Sequence, residues 1–299
     1  MSENGDLSGL VDAIPTPLIE GFGFTEGPIW HPVERWLVFS DIAESKQYRW
    51  SEADGLCLFR QPSNQANGNC FDLWGRVVSC EHASSQLVRH THGGKMVEVL
   101  ASHFEGRALN SPNDVVCDTK GRLWFTDPAF GRTREDLGLI RAQEQPCQGV
   151  YRRDPDGTLA RVAADFDQPN GLCFSRDETQ LFVNDSWGPF IRVFDVREDG
   201  TLSGGEIWAD VTGAGEGVPD GMKCDAEGRI WCNGPGGVHV FVPDSAGRGG
   251  RWIGRVPMPE KVTNFCWGGD AGQTLIVTGV STVWQVETAT THAPMIHGA

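Results

Sequence analysis

Short apolar runs of four to six residues recur along the chain, each closed by a polar or glycine-bearing turn. WLVFSD, RVVSCE, RLWFTD, QLFVND, RIWCNG and TLIVTG share this form, and each has the length and β-branched or aromatic content of a strand with no helical period. They start at Leu37, Val77, Leu123, Leu181, Ile230 and Leu275, which lie 40, 46, 58, 49 and 45 residues apart. That is the period of propeller blades. Ten or eleven residues before each anchor stands one polar side chain: Glu26, Asn67, Asn113, Asn170, Asp220 and Asn264. A first strand follows each polar residue, as in GLCFS at 171–175, and a tight turn such as DTKG or DAEG leads into the second strand.

Third strands read KQYRW, QLVRH, GVYRR, IRVFD, VHVFV and TVWQV. Fourth strands read GLCLFR, KMVEVL, TLARVA, GEIWAD and RWIGRVP, five for six units. PLIEGF at 17–22 is strand-like and supplies the sixth, so the amino terminus closes the last blade and removes an exposed sheet edge. The pattern predicts an all-β protein: a six-bladed propeller of four-stranded antiparallel blades around a central metal-binding channel. Residues 15–290 form the single domain, with 1–14 and 291–299 as tails; 1–14 and 288–299 read as loosely held. Alternation returns Asp41, Glu81, Asp127, Asp185 and Asn233 to the same end as the polar register, which makes that the working end. The one long loop there, 128–148, is expected to arch over the opening as a lid or specificity wall.

Composition narrows the function. With 38 glycines, 17 prolines and 11 tryptophans against five methionines, the chain suits short strands and hairpins. A formal charge of -15 opposes binding to nucleic acid and to anionic membranes. The first twenty residues lack a basic start and an apolar core, and no run reaches transmembrane length. Nine cysteines without C-x-x-C read as reduced, packed thiols, and the expected location is the cytoplasm.

One glutamate, one aspartate and several carboxamides around one axis make an all-oxygen donor set carrying about two negative charges. Such a set suits a hard divalent cation, Ca²⁺ first, then Mg²⁺ or Mn²⁺. Asn-Gly, Asn-Asp and Asp-Gly are also ordinary turn pairs, but six in register call for a common role.

FTEGPIWH at 24–31, LNSPNDVV at 109–116, FTDPAFG at 125–131, QPNGLCFS at 168–175 and PDGMKCD at 219–225 occur in this order. Through them nearly the whole chain resembles the SMP-30/gluconolactonase/luciferin-regenerating family, in particular its bacterial gluconolactonase-like branch. The resemblance implies a six-bladed propeller with one divalent cation in the channel, and Zn²⁺ or Fe²⁺ join the ions to be tested. It implies Glu26, Asn170 and Asp220 as metal ligands, with Asn113 in the same cluster. The implied reaction is metal-dependent opening of a lactone, a sugar lactone of the gluconolactone type, with Asp220 and Asn113 catalytic. Phosphotriester or fluorophosphate hydrolysis at the same site, or a non-catalytic ligand-binding propeller, are the alternatives.

The partner is then a small lactone, and a monomer or a homodimer fits equally. Animal-type members carry an arginine where this chain has Ser111, so the grip on substrate must come from elsewhere. His82, Arg107, Asp127 and Trp187 are the candidate substrate contacts.

Overall fold

The second strands are apolar on both faces because each is sandwiched between neighbouring sheets. In the computed structural model, which describes residues 4–91 and 97–293, the six runs form β3 (Trp36–Asp41), β7 (Val77–Glu81), β13 (Leu123–Asp127), β17 (Gln180–Asp185), β21 (Ile230–Gly234) and β25 (Thr274–Gly279). They are buried almost throughout. Each is the second strand of a four-stranded antiparallel sheet in meander order, giving a six-bladed all-β propeller.

The inner strands are β2 (Thr25–His31), β6 (Ala66–Phe71), β12 (Val115–Cys117), β16 (Pro169–Phe174), β20 (Met222–Cys224) and β24 (Val262–Gly268). The third strands are β4 (Lys46–Ser51), β8 (Gln86–His90), β14 (Gln148–Arg153), β18 (Phe190–Val196), β22 (Gly237–Pro243) and β26 (Thr282–Glu287). On the rim lie β5 (Gly55–Arg60), β9 (Val97–Ala101), β15 (Leu159–Phe166), β19 (Leu202–Asp210) and β23 (Gly250–Pro257). All five pair with register shifts that bend them, a device that blunts an exposed edge.

The sixth rim strand is β1 (Thr16–Glu20), which pairs with β26 through Thr16 opposite Gln285 and Glu20 opposite Thr282. The expected closure by the amino-terminal segment is observed, with the strand beginning one residue earlier and ending two earlier than 17–22.

The core is divided. Six apolar clusters each fill the gap between two adjacent blades, as Leu37 and Phe39 meet Cys266, Ile276 and Val283 across the closure. Leu123, Phe125 and Tyr151 likewise meet Val78, Cys80 and Leu87. Each fully buried Phe or Leu in these gaps contributes about 1.5–3 kcal/mol. Closure therefore adds a whole interface.

The expectation that 1–14 and 288–299 are loose is corrected wherever they are described. Asp6 N donates to Ile253 O (3.1 Å), Arg255 N to Asn4 O (2.8 Å) and Ala289 N to Leu10 O (2.8 Å). Leu7, Leu10 and Val11 pack on the cluster between the fifth and sixth blades, and Ala293 N donates to Cys224 O at 3.0 Å. Residues 1–3 and 294–299 lie outside the described residues. Among the described residues no helix is long and apolar enough to cross a membrane, and all nine cysteines carry free thiols.

Candidate active site

The register residues stand at one end of the inner strands, and none is more than 7 % exposed. Glu26, Asn67, Asn170 and Asn264 sit inside strands that shift register there, whereas Asn113 and Asp220 precede β12 and β20. The glycine that follows four of them permits close approach between blades. A Cβ on Gly27 would fall 2.3 Å from Asn67 O, and one on Gly171 would fall 2.1 Å from Asp220 O. Neighbouring inner strands are tied by backbone bonds, Gly68 N to Asn113 O (2.8 Å) and Gly221 N to Thr263 O (2.7 Å). Side chains of the second strands add to this: Ser40 Oγ donates to Asn67 O, Thr126 Oγ1 to Asn170 O and Asn184 Nδ2 to Asp220 O. The ring is therefore held by backbone geometry.

Charge is concentrated on one side of it. Glu26 Oε2 accepts from Gly27 N (2.6 Å) and from Asn264 Nδ2 (3.1 Å). Burial, and then the carboxylate of Asp114, raise the proton affinity of Glu26. Asp220 lies close enough to share a hydrogen bond with Glu26, and burial followed by the Glu26 charge raises its proton affinity further. Burial raises Asp114 as well. The opposing charge is Lys223, whose Nζ donates to Asn264 Oδ1 (3.2 Å) and stands 3.8 Å from Asp114 Oδ2. Since Lys223 and Phe265 N (2.9 Å) both donate to Asn264 Oδ1, the Nδ2 of that amide is turned toward the carboxylates.

The other carboxamides face different partners. Asn170 Nδ2 donates to Ser186 Oγ (3.0 Å), which leaves Oδ1 as the atom for a ligand. Asn67 Nδ2 meets His82 Nε2 at 3.1 Å, and Asn67 Oδ1 is buried without a partner.

The remaining candidates are placed as follows. His82 is buried, with Nδ1 2.8 Å from Leu137 O. Asp127 is buried at the end of β13, accepts from Asn110 N (2.8 Å), and is pushed by burial to about 7. Arg107 is exposed on β11 (Arg107–Ala108), which pairs with β10 (His103–Phe104), and Trp187 is 68 % exposed on the β17–β18 turn. Ser111 is buried, donating to Pro128 O (2.6 Å) and accepting from Gly131 N (3.0 Å). The loop 128–148 carries a short helix, α1 (Phe130–Thr133), and is packed inward at Gly131, Arg132 and Leu137 while Leu139 and Ile140 are exposed. Arg132 is buried within it and spends its guanidinium on the carbonyls of Leu109, Asn110 and Ala142.

Residues 24–281 match the family model described as the SMP-30/gluconolactonase/LRE-like region. The chain belongs to the SMP-30/gluconolactonase/LRE-like family. It is 29% identical over 290 residues to a gluconolactonase of Zymomonas mobilis, covering 89% of this chain and 79% of that one. It is 28% identical over 264 residues to the pentonolactonase XacC of Haloferax volcanii, covering 85% and 80%. The solved structure of a gluconolactonase from Xanthomonas campestris superposes with a TM-score of 0.84 at 32% identity, covering 95% of this chain and 94% of that one.

Within this SMP-30-family propeller the donor chemistry fits a hard cation. Glu26 and Asp220 are buried like charges in contact, an arrangement that needs a proton or a cation between them. All the candidate donors are oxygens. Among the described residues no group of three or more His, Cys, Asp and Glu side chains is arranged to hold a metal, so any ion would depend on carboxamide oxygens as well.

Sequence reasoning missed Asp114 and Lys223. Their signals were present: Asp114 follows its register residue where four other units have glycine, and Lys223 is a charge inside the short inner strand MKC. A cavity of about 430 Å³ opens at the opposite end of the axis, lined by the far ends of the inner strands and by Lys223. It does not include the register residues.

Proposed function

We propose that this chain is a divalent-metal-dependent lactonase that opens a sugar lactone of the gluconolactone type. The observation that carries the reading is the buried Glu26–Asp220 carboxyl pair in a family whose relatives include a gluconolactonase and a pentonolactonase. Glu26, Asn170 and Asp220 would hold the ion, Ca²⁺ first, with Asn113 beside them. When bound, the ion supplies Lewis acidity toward the lactone carbonyl and charge to balance the oxyanion.

The chain's own residues do the rest. Asp220 takes the proton of the attacking water as general base. The acyl C–O bond of the ring then breaks, and the same proton passes to the departing ring oxygen to give a hydroxy acid. Asn113 orients substrate oxygens. Burial of the ring excludes bulk water and strengthens each of these contacts. Arg107 and Trp187 are exposed and available to touch substrate directly, whereas His82 and Asp127 are engaged inside the protein and act through the groups that surround them.

The test is turnover of a lactone panel after chelation, with Ca²⁺, Mg²⁺, Mn²⁺, Zn²⁺ and Fe²⁺ added back singly and a phosphotriester included. Gluconolactone hydrolysis should vanish in chelator and return with one ion. Full turnover in excess chelator, or turnover of the phosphotriester alone, would overturn the proposal.

A further inference from the structure

His82 is fully buried, and both of its ring nitrogens face fixed groups. Leu137 O can only accept, so Nδ1 carries the proton of that 2.8 Å contact. Burial, with a smaller contribution from Arg141, holds the ring to about 4, and it is neutral at physiological pH. Nε2 then has a lone pair and accepts from Asn67 Nδ2 at 3.1 Å. The amide of Asn67 is thereby oriented, and its acceptor Oδ1 is the atom left over.

The 128–148 loop fixes this chain of bonds. Leu137 supplies the carbonyl, Arg141 Nη2 donates to His82 O at 2.7 Å, and Gly131 packs so closely that a Cβ there would lie 2.6 Å from His82 Cβ. Asn67 stands in the ring between Glu26 and Asn113, as the contacts of Gly27 with Asn67 O and of Gly68 with Asn113 O require. Its Oδ1 is buried without a protein partner. Such an acceptor is costly to leave unfilled and calls for a donor from the ligand.

We infer that Asn67 Oδ1 accepts a hydrogen bond from a substrate hydroxyl, and that His82, held by the 128–148 loop, is the positioning residue that turns the amide this way. The inference rests on the lactonase reading. Asn67 is then a specificity determinant. A polyhydroxylated lactone brings the donor, whereas an unsubstituted lactone has none, and a site built around a hydrogen bond discriminates against ligands lacking its partner.

The full chain is assayed as wild type, Asn67→Ala, His82→Phe and His82→Gln on glucono-1,5-lactone and on unsubstituted δ-valerolactone. Ion affinity of each is measured by calorimetry with Ca²⁺. Loss of one neutral hydrogen bond should lower the hydroxylated-to-unsubstituted ratio of kcat/KM about tenfold in Asn67→Ala and His82→Phe, chiefly through KM. His82→Gln, whose amide can donate to Leu137 O and accept from Asn67, should restore the ratio. An unchanged ratio in Asn67→Ala overturns the inference, even if His82→Phe fails to fold. So does an unchanged ratio joined to a large loss of Ca²⁺ affinity, which would assign Oδ1 to the cation. Wild-type protein that opens neither lactone rejects the lactonase reading itself, a result separate from any change in the ratio.

Discussion

The two ends of the axis are made from the same six inner strands and have opposite chemistry. At the start of the strands stand Glu26, Asp220 and four asparagines, all oxygen or amide groups. Two to four residues further on, around the far cavity, stand Trp30, Phe71, Phe174 and Trp267 with the thiols of Cys70, Cys117, Cys173, Cys224 and Cys266. Burial pushes Cys117, Cys224 and Cys266 to about 12 and raises Cys70 and Cys173 well above the ordinary thiol range. These thiols stay neutral and behave as small apolar groups. Lys223 marks the boundary: it lines the far cavity, yet its ammonium reaches Asn264 and Asp114. One repeated template thus yields a polar, charged end and an apolar end, and position along the strand decides which.

The contrast breaks most sharply at the ring. Asp220→Asn keeps shape and removes the base, and turnover should fall by at least 10²-fold with the ion still bound. Calorimetric ion occupancy and lactone kinetics on one sample check this. Near-normal turnover in ion-loaded protein would transfer the role to another group.

At the boundary, Lys223→Met leaves the buried Asp114 unpaired. It should cost roughly 2 kcal/mol of stability in urea unfolding at pH 7.5, given the 3.8 Å separation. Removing the charge from both, in Asp114→Asn with Lys223→Met, should recover most of that loss. An additive double variant would show that the two groups do not act as a pair.

Asp127 gives a pH-dependent difference at the working end. Its folded value is raised to about 7 by burial, above that of the unfolded chain. The native state therefore holds a proton that the unfolded chain releases near pH 4. The stability from this group is present in acid and is lost as pH rises through about 7. Asp127→Asn should make the fall in Tm between pH 5 and pH 8 shallower by about 3 °C, measured by scanning calorimetry. An equally steep fall in both proteins would remove Asp127 as its source.

The smallest effect belongs to the far end. Cys173→Ala should cost about 1 kcal/mol of stability and leave lactone turnover unchanged. A change in turnover would mean that the cavity end communicates with the ring.

Much of the architecture was legible because it is written locally. Strand pattern, turn dipeptides and the spacing of Leu37 to Leu275 specify six blades, and PLIEGF was visible as the missing strand. The tails were misread because Leu7, Leu10 and Val11 look unpatterned until the cluster between the last two blades gives them a surface. The register named the ring residues but could not tell their amides apart. Asn264 turns its nitrogen to Glu26 because Lys223 holds its oxygen, whereas Asn67 turns its nitrogen to His82 and keeps its oxygen free of protein partners.

By itself, then, the sequence determined the blade count, the closure, the polar ring and the family, since periodicity and turn chemistry act over a few residues. Only the tertiary structure decided which carboxylates share one field, which amide faces which way, and that the loop 128–148 is anchored on His82. Those outcomes depend on side chains from different blades meeting around the axis, at sequence separations of 55 residues for His82 and Leu137 and 238 for Glu26 and Asn264. Hydrogen-bond direction and burial across such gaps are properties of the closed ring, and no stretch of chain carries them alone.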